Sequence, residues 1–552
     1  MLFLNPTIIP ENPPAVNPLG VDKQQKASKI ALLCIFIKKS IMKNRSESNE
    51  GGKLLNWKAA VAFAALSCAT GCIDPDDGFT PVGDDDDTSC EDIDVSDVPL
   101  DIEISDTGNT LRKTIEVHTG ESVTITADFG RSSGNPEWTL DGDEMECAKV
   151  DDHQECTVFG LRAEEEYFLR VTAVYNDCSA QVSEVLPFET GTLPFPNLIT
   201  ETEIPNPELV QEGHTLMNFG IQEGKSPEPI VVILDQNGEI IWYHTWSDYE
   251  DITEGRGTDN IQTSLDANGK IHAGGGLQEG LRPMQLSLAG EVIPTGPPQF
   301  NVFENVTSHM HHIWFKLPQA DHPLSGGFVT AAQDQDIFYS KVLILNPSVD
   351  YSSIDNLEDH ALFSWSSAEI ADRIAGHGLI NSVDVKFEEN AAYINLYDGT
   401  IAKVDLTTRE VLWLFGEQGE FQMTDGSFFG PTHDVNVLDN GNILLFDNGP
   451  DGTESRAVEY ELDTQNMTAK EVLSYWLGTH VQSGGSAQRL SNGNTLIGPG
   501  CGTGVVDAPI LKEVTPEGKV VWEKTLLVED EYFAGAYIAT RIDAIINEAN
   551  PE

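Results

Sequence analysis

Positive charge is scarce in this chain. Lys and Arg number 32 against 89 Asp and Glu, and the formal net charge is −57 at pH 7. Such a surface repels phosphate backbones and anionic headgroups, which excludes a nucleic-acid partner. An anionic small molecule is admitted only where a site is locally basic or rich in donors. Long apolar runs are missing as well. Ile30–Ile37 and Ala59–Leu66 are both too short to span a bilayer. Cysteines number 8, and none has the Cys-x-x-Cys or Cys/His spacing of a zinc site. No metal and no cofactor is therefore expected.

The N-terminus reads as an address rather than as fold. Lys43, Arg45, Lys53 and Lys58 precede the apolar run Ala59–Leu66, and Ala69-Thr-Gly-Cys72 follows. Small residues ending in Gly-Cys have the form of a lipoprotein signal, with Cys72 as the lipidated residue. The alternative is an ordinary signal peptide cleaved nearby. Residues 42–71 are then the leader, and residues 1–41 an over-extended start. Residues 72–94, with Asp84 to Asp87 in a row, read as a solvated tether. The expected location is outside the cytoplasm, as an outer-membrane or cell-surface lipoprotein facing the periplasm or exterior. A lipid anchor would be the chain's one tie to the membrane. Cys90, Cys147, Cys156 and Cys178 cluster in one region, as disulfides do in an exported domain. Their pairing is open at this level.

What is abundant is turn chemistry, with 48 Gly and 29 Pro. Residues 95–192 read as short strands at sandwich-like intervals: Thr114–His118, Ser122–Phe129, Glu155–Phe159, Tyr167–Tyr175 and Gln181–Glu189. An immunoglobulin- or fibronectin-III-like β-sandwich is expected there. Pro-rich residues 193–208 read as a linker. Residues 209–545 repeat at a period of roughly 50–65 residues. One phrase is a turn and an apolar strand, as in Ala267-Asn-Gly-Lys-Ile-His, Asp439-Asn-Gly-Asn-Ile-Leu-Leu and Ser491-Asn-Gly-Asn-Thr-Leu. The other is a turn, an apolar pair and a Trp, as in Gly238-Glu-Ile-Ile-Trp242, Arg409-Glu-Val-Leu-Trp413 and Gly518-Lys-Val-Val-Trp522. Degenerate copies end at Trp365 and Trp476. Six units of antiparallel strands, unable to bury both faces alone, predict an all-β chain ending in a six-bladed β-propeller, with Trp filling the outer wedge.

Polar residues recur where the innermost strands begin: Asn260, His312, Asn381 and His433. In a propeller these positions converge from different blades. His309 and His311 lie beside His312, and His377 lies near Asn381. The stretch from His433 reads as a hairpin. Its return strand runs from Ile443 to Phe446, and Asp447-Asn448-Gly449 breaks it.

Several of these phrases resemble the bacterial aryl-sulfate sulfotransferases (the arylsulfotransferase family). They are His433-Asp-Val-Asn-Val-Leu, Leu445-Phe-Asp-Asn-Gly, Ser455-Arg-Ala-Val-Glu-Tyr-Glu-Leu-Asp463 and Val472–Trp476. His311-His312 before Gly326-Gly327, Asn381-Ser-Val, and Ala536-Tyr-Ile-Ala-Thr-Arg-Ile542 also fit. The resemblance implies an extracytoplasmic six-bladed propeller behind a β-sandwich. It implies that His433 attacks an aryl sulfate, forms a sulfohistidine, releases a phenol and passes the group to a second phenol. His312 would donate to an oxygen or carry the proton. His311, His377, Asn381 and Arg456 would bind substrate, so the expected partners are a small aromatic sulfate and a phenol.

The chain departs from the family in three places. Leu379 stands where the family has a His, two residues before Asn381. The stretch Asn395–Asp398 lacks the family's Arg. The cysteine pair of some members is absent from 417–430. A sulfuryl group in transfer carries negative charge, so the missing cation bears directly on rate. Leu379→His with Leu396→Arg is the expected restoration, and Arg282 or Arg489 are candidate substitutes. Two other readings stay open: a hydrolase using His433 and water, and a non-catalytic propeller that binds a ligand or partner.

Overall fold

Alternation of apolar and polar residues governs every long strand. In Glu166–Tyr175 each second side chain, from Tyr167 to Tyr175, is buried, and the others lie nearer solvent. That is the period of a pleated strand with one face on a core. The computed structural model describes residues 100–542 apart from short internal stretches, of which 132–143, 246–262 and 501–510 are the longest. The leader, Cys72, the acidic tether and Cys90 lie outside the described residues, as do Cys178, His377 and Asn260. The described chain is all-β, with short 3-10 turns and no α-helix.

Two sheets come first. One holds Asp101–Asp106, Lys113–His118, His153–Val158 and Ala148–Val150; the other is built on Val123–Arg131 and Glu166–Tyr175. Ile115, Val117, Ile125, Phe129, Leu169 and Val171 share one core. Cys147 and Cys156 form a disulfide inside it. The expected strand Gln181–Glu189 is two strands, Ser179–Val182 and Leu186–Glu189, both paired to Glu166–Tyr175. This pair of sheets docks on the segment 235–243. Asn109 Nδ2 donates to the Tyr243 carbonyl at 3.1 Å, Thr110 N donates to the Tyr243 hydroxyl at 3.0 Å, and Arg162 pairs with Asp235.

Six antiparallel-dominated sheets of four or five main strands occupy the rest. Each packs on the next in chain order, and the last packs on the first, so the sheets form a closed cycle. Strands from before the first sheet and after the last seal it. The C-terminal strand Ala539–Ile542 pairs with His214–Glu223 of the first sheet. Leu198–Glu203 pairs with Val520–Val528 of the last. The region read as a linker, 193–208, thus contains a strand. Its Pro residues lie on either side of that strand, and the strand itself is rich in Thr, Ile and Glu.

Trp242, Trp365 and Trp522 are at most 1% exposed, and Trp413 is 8% exposed. Trp476 breaks the pattern at 50%. The turns are held as the repeated phrase predicts. Gly441, at φ 83°, lets Leu438 N donate to the Asn442 carbonyl across the turn.

Candidate active site

Three neighbouring inner strands lose their register at matching places. In Val306–Lys316 the pairing shifts between Met310 and Trp314, around His311 and His312. In Ile380–Lys386 it shifts between Ile380 and Ser382, at Asn381. In Thr432–Val437 it shifts between His433 and Asn436. Asp434, next to His433, has φ 51°, a conformation that non-glycine residues rarely adopt. Such irregularities re-aim side chains and concentrate at functional sites. Three of the four polar positions picked out by the repeat, those of His312, Asn381 and His433, are therefore positions where the strands bulge. These three strands also pack in sequence, the first on the second and the second on the third. The side chains of His311 and His312 lie outside the described residues.

His433 is 2% exposed. Its Nδ1 lies 2.6 Å from Asn448 Oδ1, and the Gly484 N–H donates to its Nε2 at 3.3 Å. Asn448 donates from Nδ2 to the carbonyls of Val481 at 3.0 Å and Gly484 at 2.9 Å. The strand carrying His433 is gripped from the fourth sheet. Asn381 Nδ2 and Asn395 Nδ2 both donate to the Thr432 carbonyl, at 2.8 and 3.1 Å. Ser382 Oγ accepts from Val435 N at 2.8 Å. Asn381 thus braces the backbone beside His433, and Asn395, in the stretch where the family's Arg is missing, does the same. Asn395 Oδ1 is buried without a partner among the described residues.

The same stitch recurs at a constant spacing of 53 residues. Ser382 accepts from Val435, Asp384 from Val437, Asp434 from Ala487 and Ser486 from Ala539. A polar side chain on one inner strand takes a backbone N–H from the next. Burial pushes the Asp434 carboxyl up to about 7, against the Ala487 and Asn436 donors; the nearby Asp384 adds to the rise. Burial also raises the Asp384 carboxyl, with Lys386 opposing it.

Arg456 is 2% exposed, and its guanidinium is engaged throughout. Nε donates to Asp447 at 2.8 Å and Nη1 to Glu471 at 2.9 Å. Nη2 faces the Tyr460 hydroxyl, Ser427 Oγ and the Phe428 carbonyl. Burial works against its charge, but Tyr460, Asp447 and Glu471 outweigh it and hold its pKa above the ordinary value. The substrate-binding role expected of Arg456 conflicts with this geometry, because every guanidinium nitrogen already has a protein acceptor. Arg489 gives Nη2 to Glu459 at 2.5 Å and Nη1 to the Gly493 carbonyl at 3.2 Å, while its Nε is buried without a partner among the described residues. Leu396 is fully buried in an apolar cluster, so Leu396→Arg would charge the core rather than the site. Asn395, one residue away and therefore on the opposite face, is the position beside Thr432. Among the described residues no group of three His, Cys, Asp or Glu could hold a metal ion.

Asn448 reads in the sequence as a strand breaker, and the structure makes it the partner of His433 instead. The hairpin pattern does not mark that contact, because the register partner of His433 is Phe446 and Asn448 lies across from Pro431.

Residues 336–526 match the family model described as Arylsulfotransferase (ASST). No curated protein matches the chain. Similar solved structures include a protein from Lactobacillus plantarum, at 9% identity and TM-score 0.36, covering 76% of this chain and 100% of that one. The periplasmic gluconolactonase of Pseudomonas aeruginosa is similar at 11% identity and TM-score 0.29, covering 75% and 99%. The Cps50 (Swd1) β-propeller domain of Myceliophteria thermophila is similar at 11% identity and TM-score 0.30, covering 60% and 90%.

Proposed function

We propose, from the match of residues 336–526 to the arylsulfotransferase family model, that the chain moves a sulfuryl group from an aryl sulfate to a phenol through a sulfohistidine at His433. The observation that carries this reading is the set of three adjacent bulged inner strands, which bring the positions of His312, Asn381 and His433 to one region. In the first step an imidazole nitrogen of His433 bonds to sulfur as the aryl O–S bond breaks. The leaving phenolate takes a proton from His312. In the second step the acceptor phenol returns a proton to His312, its oxygen bonds to sulfur, and the N–S bond breaks. With no Arg in the stretch 395–398, the sulfonate oxygens would rely on amide and backbone donors. Weaker turnover than in a full-motif relative is the consequence.

The cycle of six sheets is read as a six-bladed β-propeller over 209–545, and the two N-terminal sheets as an immunoglobulin- or fibronectin-III-like sandwich. Lipidation at Cys72 and an extracytoplasmic location belong to the same proposal. Cys72→Ala should move the protein out of the membrane fraction; unchanged fractionation rejects the anchor. Among the described residues no helix is long and apolar enough to cross a membrane.

The enzyme reading is tested by incubating the exported chain with a chromogenic aryl sulfate and a phenol. A mass gain of one sulfuryl group on the His433 peptide is expected. If neither wild type nor Asn395→Arg is modified, the reading fails. The ligand-binding propeller then stands, which the commitment of every Arg456 guanidinium nitrogen to protein acceptors favours.

A further inference from the structure

Asn448 is 1% exposed and has no freedom to turn. Both of its N–H groups are committed, to the Val481 and Gly484 carbonyls at 3.0 and 2.9 Å. Reversing the amide would set its oxygen against those two carbonyl oxygens and its nitrogen against the ring. Oδ1 must therefore face His433 Nδ1, where the gap is 2.6 Å. A carbonyl oxygen only accepts, so Nδ1 carries a proton. From the other side the Gly484 N–H donates to Nε2 at 3.3 Å, which requires a lone pair there. The two observations come from different groups and assign the same tautomer.

The surroundings keep Asn448 in place. Its N–H donates to the Pro431 carbonyl at 2.9 Å, two residues before His433. Its carbonyl accepts from Ser455 Oγ at 2.8 Å, and that hydroxyl accepts from Val481 N at 2.8 Å. Gly484 and Gly485 both have positive φ, and a Cβ at Gly485 would fall 2.4 Å from the Phe446 ring. The 481–485 segment can therefore lie against the hairpin closely enough to present its backbone to the imidazole.

We propose that Asn448 is the positioning residue of the site: it holds His433 as the Nδ1–H tautomer, and binds the 481–484 segment to it, so that Nε2 is the nitrogen that reacts. Its catalytic consequence rests on the sulfotransferase reading; the tautomer does not. When Nε2 bonds to sulfur, the imidazole becomes cationic, and Nδ1–H donating to Asn448 Oδ1 stabilises that cation. Gly484 N–H, released from Nε2, is then next to the new N–S bond and can donate to a sulfonate oxygen.

The experiment is nitrogen NMR of the full exported chain with labelled histidine, the His433 signals being identified by their loss in His433→Gln. Wild type should show Nδ1 protonated and Nε2 unprotonated at neutral pH. The reverse assignment overturns the proposal, whatever the activity. Asn448→Asp keeps an acceptor at Nδ1 but faces the two loop carbonyls with oxygen, so it should keep the tautomer and loosen the segment. Asn448→Leu removes the acceptor and should let the proton distribute over both nitrogens. Identical tautomers in folded Asn448→Asp and Asn448→Leu overturn it as well. Where sulfation of His433 occurs in wild type, Asn448→Leu should slow it on the order of 10²–10⁴-fold, as misplaced tautomers do. The wild-type tautomer with no sulfation in any variant would reject the sulfotransferase reading and leave the tautomer assignment standing.

Discussion

Asp447 and Asn448 are adjacent, both buried, and serve two different clusters at the same end of the hairpin. Asp447 takes Arg456 Nε on one oxygen and the N–H groups of Gly430 and Gly449 on the other. Its surroundings are charged, multiply bonded and tolerant of small shifts, because an ion pair has little directional demand. Asn448 faces His433 and two loop carbonyls with single, directional bonds. The first cluster fixes where the hairpin ends. The second fixes which nitrogen of a ring carries a proton. A charged brace and a neutral, orienting amide stand side by side because consecutive residues of an extended chain face opposite ways.

The largest expected effect breaks the brace. Arg456→Leu strands Asp447 and Glu471 in a buried site. Removing one partner of such a network costs about 3–5 kcal/mol. Urea denaturation should find that loss, with Arg456→Lys intermediate because an ammonium cannot satisfy all the acceptors. Loss below ~1 kcal/mol would mean the cluster is not the support described.

Next comes the pH dependence beside His433. The folded Asp434 carboxyl titrates at about 7, whereas an unfolded Asp ionises near pH ~4. Between those values the folded state holds the extra proton. The group's contribution to stability is thus full at about pH 4, falls as pH rises to about 7, and is constant above. Asp434→Asn keeps an acceptor for Ala487 N and has no charge to bury. It should flatten the slope between about pH 4 and 7 and be the more stable form at about pH 8, by up to a few kcal/mol. Parallel slopes for variant and wild type in urea titrations would reject this.

Much of the fold is legible in the sequence, and the reasons are local. Gly441 and its equivalents announce turns, and the apolar alternation between them announces strands. The closed cycle arises because such units cannot bury both faces alone. His433 is legible because the phrase around it repeats. The bulges are not legible, since one extra residue changes register without changing composition. For the same reason Leu396 reads as the position facing the site, although Asn395 faces it and Leu396 faces the core. The strand Leu198–Glu203 hides behind prolines, its partner Val520–Val528 lying at the far end of the sequence. Asn448 hides because a turn residue and a site residue read alike until the fold brings the 481–484 segment over it.

A smaller effect separates the two clusters directly. His433→Ala leaves Asn448 Oδ1 facing a gap, at a cost of roughly 1–3 kcal/mol for an unpaired buried group. That is more than a residue at an open strand mouth would cost, because His433 is in fact buried. Sulfation of the chain should vanish altogether. In Arg456→Leu, by contrast, whatever fraction stays folded should keep the His433 tautomer seen in wild type. A changed tautomer there would mean that brace and orienting amide are one unit.

The smallest effect lies on the outer face of the same brace. Trp476 is half exposed, and the Arg456 guanidinium sits over its ring, 4.8 Å from the centroid. In four other repeats the matching Trp (Trp242, Trp365, Trp413 or Trp522) is buried, and the indole N–H of Trp522 donates to the Gln236 carbonyl at 3.1 Å. Trp522→Ala should cost about 3–5 kcal/mol through the cavity it leaves. Trp476→Ala should cost only ~0.5–1 kcal/mol, because an exposed cation–π contact contributes little and water replaces the ring. The guanidinium would keep Asp447 and Glu471, so stability should drop slightly and the His433 tautomer should not change. A cost comparable to that of Trp522→Ala would mean the ring shields the Arg456 ion pairs from solvent, and that the brace depends on its cover as much as on its charges.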